Sequence, residues 1–183
     1  MQGKALRSYA ALLRGVNLGS HNKVSMADLR ELFEALGHED VATYVQSGNV
    51  VFKARGDAAS ISSGIERRIA RDLGLDVAVI LRSKTQLARI AATNPFVRKE
   101  REPTRLHVTF LANTPPRAAV RELSSGDFAP DALHVKGKEV YLHTPQGYGR
   151  TKLSGAFFEK RLGVVATTRN WRTVTRLAEL TSA

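Results

Sequence analysis

The chain has 183 residues, 43% hydrophobic and 25% charged, an ordinary balance for a globular protein with room for one domain or two small ones. No apolar run approaches the roughly 20 residues of a membrane-spanning helix, and the start, MQGKALRSYAALLRG, lacks a signal-peptide core. The chain has no cysteine, so disulfides, thiol nucleophiles and Cys-ligated zinc are all excluded; a cytoplasmic protein is expected. The net charge is +11, which suits a nucleic-acid or other polyanionic partner and equally suits a solvated basic face. From Thr144 onward the excess is concentrated in Arg150, Lys152, Lys160, Arg161, Arg169, Arg172 and Arg176.

In chain order, Tyr9 to Leu13 reads as a buried strand that ends at Arg14-Gly15-Val16-Asn17-Leu18-Gly19. Ser25 is placed to cap a helix with Asp28 in its first turn; Met26, Leu29, Phe33 and Leu36 follow at helical spacing, and Gly37 closes it. Thr43 to Phe52, TYVQSGNVVF, predicts a β-hairpin. Its Gly48-Asn49 pair supplies the positive-φ residues of a two-residue turn, with Gln46, Ser47 and Asn49 at an exposed tip. A helix is predicted from Ala58 to Leu73, with Ile61, Ile65, Ile69 and Leu73 on one stripe and Gly74 as its stop. Val77 to Leu81 reads as a strand, and Ser83 as the cap of a short helix that ends at Asn94-Pro95.

The charged run Arg98 to Thr104, RKEREPT, is the best linker candidate. Beyond it the order repeats. Leu106 to Ala112 is a strand, Pro115 to Leu123 a helix, and Ala132 to Val135 with Glu139 to His143 a second hairpin. A helix from Leu153 to Leu162, a strand from Val164 to Thr167 and a last helix capped by Asn170 complete it. Each half then reads β-α-β-β-α-β-α, whose first six elements are the split βαβ pattern. The fold expected is α+β, two ferredoxin-like halves in tandem with internal duplication: 1–97, a linker at 98–104, and 105–183. The sequence echo between halves is one dipeptide, Arg82-Ser83 against Arg169-Asn170.

Four stretches carry a family resemblance: YAALLRGVNLG (9–19), TYVQSGNVVF (43–52), PQGYGRTKL (145–153) and ATTRNWRTVTRLAEL (166–180). In residues and order the chain resembles the bacterial domain of unknown function family 1697. It departs at Thr151, where that family often has Ser, and at Leu18-Gly19-Ser20, where Val-Gly-Gly is common. The resemblance implies no activity.

Two places could hold a ligand. In a ferredoxin-like unit the first two strands run the same way, which brings Arg14, Asn17 and Gly19 beside Gln46, Ser47 and Asn49. These groups read either as a polar pocket or as the fastening of the hairpin. In the second half, two helix starts meet, one after Gly147-Tyr148-Gly149-Arg150-Thr151-Lys152 and one after Thr167-Thr168-Arg169-Asn170. Free amides, a positive dipole end and Arg150, Lys152 and Arg169 suit a phosphate or carboxylate; capping and solvated arginines are the alternative. The loop lacks the phosphate-binding GxxxxGK[ST] spacing.

The five histidines show no metal-ligand spacing, and no metal or cofactor is expected. Ser47 is not in a strand-to-helix nucleophile elbow, and no carboxylate pair stands out for acid–base work. The residues do not decide whether the chain is an enzyme; if it is, it works by positioning and charge stabilisation. The C-terminal FFEKRLGVVATTRNWRTVTRLAEL is not a helix-turn-helix, because a β-branched run separates its helical parts. The expected partner is a small anionic ligand. Nucleic acid is the alternative, disfavoured because the strands offer Tyr44, Phe52, Phe110 and Tyr141 without an aromatic-rich RNA-binding pattern. No membrane partner is expected.

Overall fold

A computed structural model describes residues 5–183. The chain divides into two compact units, Met1–Ala88 with Leu177–Ala183, and Arg89–Arg176. The first contains β1 (Leu6–Leu13), α1 (Met26–Ala35), β2 (Glu39–Tyr44), β3 (Asn49–Arg55), α2 (Ala58–Leu73), β4 (Val79–Ser83) and the start of α3 (Lys84–Ala92). The second contains β5 (Leu106–Leu111), α4 (Arg117–Ser124), β6 (Ala132–Lys136), β7 (Glu139–His143), α5 (Gly155–Leu162), β8 (Ala166–Asn170) and most of α6 (Trp171–Leu180). The sheets are four-stranded, with orders β2-β3-β1-β4 and β6-β7-β5-β8, and every pairing is antiparallel. The protein is α+β, built from two tandem split βαβ halves.

Local chemistry accounts for the helices. Ser25 Oγ accepts the Asp28 amide and starts α1. Asp57 does the same for Ser60 and α2, and Gly74, at φ 66, ends α2 in the left-handed conformation that glycine tolerates. Its stripe of Ile61, Ile65 and Ile69 is buried against Tyr9, Ala11, Leu13, Val50 and Phe52 of the sheet. Truncating Ile65 or Ile69 to Ala would cost about 2–5 kcal/mol. In the second unit Leu123 of α4 and Phe158 and Leu162 of α5 cover Leu111, Val140, Leu142 and Ala166. No described helix is long and apolar enough to cross a membrane.

The two sheets share a register. Tyr9 pairs with Ser83 and Ala10 with Arg82 in the first, as His107 pairs with Asn170 and Val108 with Arg169 in the second. The dipeptide echo in the sequence is thus a structural equivalence. Both arginines are buried, at 3% and 8% exposure, and each donates Nη1 to the carbonyl of the preceding residue, at 2.9 Å (Leu81) and 3.0 Å (Thr168). The residue after each arginine caps the next helix. Ser83 and Gln86 exchange side-chain-to-amide bonds at the start of α3, and Asn170 accepts the Thr173 amide at the start of α6.

Two predicted boundaries move. The last strand is Ala166–Asn170 rather than Val164–Thr167, because its ladder begins where Ala166 meets Leu111. Arg169 is therefore a strand residue. It lies one position along from Thr168, so it shares its face with Thr167 rather than with Thr168 and Asn170. The first hairpin has no two-residue turn: Tyr44 pairs with Asn49, and Val45–Gly48 connect the strands, with Val45 at φ 49 and Gly48 at φ 74. A β-branched residue with positive φ is strained, and residue preference alone would not place Val45 there. β8 also lies between α5 and α6, which agrees with the rejection of a helix-turn-helix.

Candidate functional site

The first predicted cluster does come together, at the end of the first sheet where β1 stops. Asn17 donates Nδ2 to the Gln46 carbonyl (2.9 Å) and the Val24 carbonyl (3.0 Å) and accepts the Val24 amide on Oδ1 (2.9 Å). The Leu13 amide bonds the Gly48 carbonyl at 2.9 Å. Gly48 lies so close to the strand that a Cβ there would sit 2.3 Å from Val16 Cγ2 and 2.9 Å from Leu13 Cβ. Asn49, expected at an exposed tip, is fully buried, and its amide donates to the Tyr44 carbonyl and Ser47 Oγ. Gln46, Ser47 and Arg14 are exposed. The Asn17 side chain thus fastens the hairpin turn to the loop after β1, and that of Asn49 closes the turn on itself.

The second cluster is organised by residues 144–154, which leave β7 and enter α5. Thr144 is buried, and its amide bonds the Arg105 carbonyl at 2.8 Å. Gly147, at φ 90, leads into a single 3-10 turn, Tyr148–Arg150. The Thr151 hydroxyl donates to Asp131 Oδ2 at 2.6 Å and accepts the Leu153 amide at 3.0 Å. Leu153 is buried in the core. Both ends of the loop are therefore anchored, and Gly149, Arg150 and Lys152 stand out from it, exposed. Neither the Arg150 nor the Lys152 side chain has an ion pair or hydrogen bond among the described residues. Ser154 caps α5 by accepting the Phe157 amide, which leaves the amides of Gly155 and Ala156 without an intrahelical acceptor.

Beneath the loop lies His107 of β5. The His107 ring stacks on Tyr148, with centroids 4.4 Å apart and an interplanar angle of 23°. His107 is 6% exposed, and its Nδ1 is buried with no hydrogen-bond partner. Burial pushes its pKa down to about 4, so the imidazole is neutral at pH 7. Beside it on the same sheet face, the hydroxyls of Thr109 and Thr168 bond at 2.8 Å. The available signal is that His107 and Thr109 are polar at alternate positions of a strand whose Leu111 faces the core.

The remaining predicted residues separate. Asn170 is exposed and spent on its cap. Arg169 is bonded to Thr167 Oγ1 at 2.7 Å as well as to the Thr168 carbonyl. Burial lowers its pKa to about 10, which leaves it charged at neutral pH.

Comparison with known proteins fits this architecture. The family described as Protein of unknown function (DUF1697) matches residues 6–141, and the chain belongs to that family. The match ends in β7, before the loop of residues 144–154. Among solved structures, the chain resembles the conserved bacterial protein SP0830 from Streptococcus pneumoniae at 24% identity, with a TM-score of 0.78 over 97% of this chain and 99% of that one; the likeness is one of fold. No curated protein matches the chain.

Proposed function

We propose that the second unit binds a small phosphate- or carboxylate-bearing ligand on the loop of residues 144–154. Arg150 and Lys152 are the charged contacts, Gly149 allows close backbone approach, and the first amides of α5 act as donors. The observation that carries this reading is the pair of unpartnered cations on an anchored loop above a buried imidazole whose Nδ1 lacks a bond. Unpaired exposed cations alone are common. Here the anchors at Thr144 and Thr151 hold them in place, which lowers the ordering cost of binding.

The test is an amide NMR titration with inorganic phosphate, run on the wild-type chain and on the R150A/K152A double variant. Saturable shifts confined to Gly149, Gly155, Ala156 and their neighbours, abolished in the variant, are expected. Shifts spread over the other basic residues, or unchanged in the variant, overturn the reading.

A further inference from the structure

An outer strand of a sheet exposes a row of main-chain amides and carbonyls that can pair with another chain. The two sheets have four outer strands, β2, β4, β6 and β8, and three of these are closed. In β4, Glu66 Oε1 accepts the Val79 amide at 2.8 Å, Ser62 Oγ donates to the Val79 carbonyl, and Arg82 covers the Leu81 carbonyl. In β8, Glu159 Oε1 accepts the Ala166 amide at 3.0 Å, and Arg169 covers the Thr168 carbonyl. β2 is broken by a register shift between Glu39 and Ala42, with Asp40 at φ 52.

β6 has none of these devices. Its turn at Gly137 and Lys138 makes Lys136 and Glu139 the closing pair of the hairpin. Mutually bonded pairs alternate from there, so the amides and carbonyls of Leu133 and Val135 point away from β7. The far side of β7 agrees. The Leu111 amide bonds the Lys138 carbonyl and the Thr144 amide bonds the Arg105 carbonyl, which turns Val140 and Leu142 towards β5. No side chain among the described residues bonds the main chain of Leu133 or Val135. α4 also stands back from this edge. A hollow of about 320 Å³ opens between Val120 and Val135, and one of about 420 Å³ between Leu123 and Leu133, so a further strand can approach without meeting the helix. The two ends of the edge differ in charge. Arg117, Arg121 and Lys136 are exposed at the Gly137 end, whereas Asp127 and Asp131 lie at the Ala132 end.

We infer that β6 pairs with β6 of a second copy of this chain, antiparallel about a two-fold axis at His134, and joins two four-stranded sheets edge to edge. Leu133 of each copy exchanges main-chain bonds with Val135 of the other. The same axis carries Asp127 and Asp131 of each copy to Arg117, Arg121 and Lys136 of the other. One strand thus supplies both halves of a charge-matched edge, which a foreign strand would have to reproduce in its own sequence. Because the other outer strands are closed, pairing stops at two copies instead of extending into a fibre. The inference goes beyond the anion site and does not depend on it.

Sedimentation velocity on the full chain, from micromolar to millimolar concentration, should show a monomer–dimer equilibrium. Amide hydrogen exchange then locates the interface. The Leu133 and Val135 amides should be protected at high concentration and exchange freely on dilution, while the His134 amide, bonded within the hairpin, stays protected at both. The R117E/R121E variant changes exposed side chains only and should dimerise about tenfold more weakly, as attractive rim pairs become repulsive. Adding D127R should move association back towards wild type. A chain that stays monomeric at every concentration, its edge then left for a foreign strand, overturns the inference. So does a dimer whose Leu133 and Val135 amides exchange as fast as in the monomer, or one that the charge reversal leaves unmoved.

Discussion

In the first unit β1 reaches α1 through residues 14–25, while β3 reaches α2 through only Gly56 and Asp57. In the second unit the lengths are exchanged: β5 reaches α4 through residues 112–116, and β7 reaches α5 through residues 144–154. The scaffold and register are the same, and each unit extends its chain at the opposite end of its sheet. The contents differ as well. The first long loop turns the Asn17 amide onto a neighbouring hairpin, whose Gly48 packs against that loop with no room for a Cβ. The second fixes its ends and leaves its cations in water. A fold of this kind can use the same kind of extension as a clamp or as a presenting surface, and hydrogen-bond partners distinguish the two where composition does not.

The largest effect expected from this contrast compares the two hairpins. Gly48→Ala sets a Cβ against Val16 and Leu13 at positive φ, and should destabilise by about 3 kcal/mol from overpacking and backbone strain combined. Gly137→Ala, in the β6–β7 turn at φ 62 with nothing within 4 Å, meets strain alone and should cost about 1 kcal/mol. Urea denaturation measures both. Equal costs would mean that the first hairpin is not clamped.

Next come the side chains that hold each loop. Asn17→Ala removes three hydrogen bonds and should cost about 2 kcal/mol, with faster hydrogen exchange at the Val24 amide. Thr151→Val removes the bonds to Asp131 and Leu153 and should cost about 1 kcal/mol. Its second consequence separates clamp from presenter: loosening the second loop should weaken the phosphate titration, whereas Asn17→Ala should leave it unchanged.

How far these roles were legible in the sequence depended on the kind of signal. Period and caps located the helices: the Ile61, Ile65 and Ile69 stripe, Ser25 and Gly74 all act as their spacing predicted. Element order was enough for the topology, and with it the meeting of Asn17 and Gln46. What escaped the sequence was set by partners far along the chain. Ladder register, fixed by β5, decided that β8 begins at Ala166 and turns Arg169 away from Asn170. Val45 adopts positive φ where the flanking turn is held by Leu13 and Asn17. The buried state of Asn49 followed from the same four-residue connection. That Glu100 turns inward onto His143 while Glu102 stays exposed beside Thr104 and Arg172 depends on partners that a charge count cannot supply.

At neutral pH the smallest effect belongs to the buried imidazoles, and it grows as pH falls. His107 has its folded pKa lowered to about 4 by burial, against about 6.5 in the unfolded chain. The unfolded state thus takes up a proton that the folded state refuses. Stability is fully present above pH 6.5 and is lost progressively as pH falls from there towards 4. In the first unit His38, packed against Phe33 and Phe52, is also lowered by burial and acts with the same sign. Glu100 is held below its ordinary range by the Glu102 amide and by His143. Its contribution is lost only at lower pH, as the carboxylate protonates. The windows are therefore separable. His107→Phe keeps a ring on Tyr148 and removes the proton site, so its thermal midpoint should fall less than that of wild type between pH 6.5 and 4.5. His38→Phe should relieve the remainder, and both variants should converge on wild-type behaviour above pH 7. Parallel curves for wild type and His107→Phe would mean that His107 is hydrated, and the buried floor beneath the second loop would then be open to water like the loop itself.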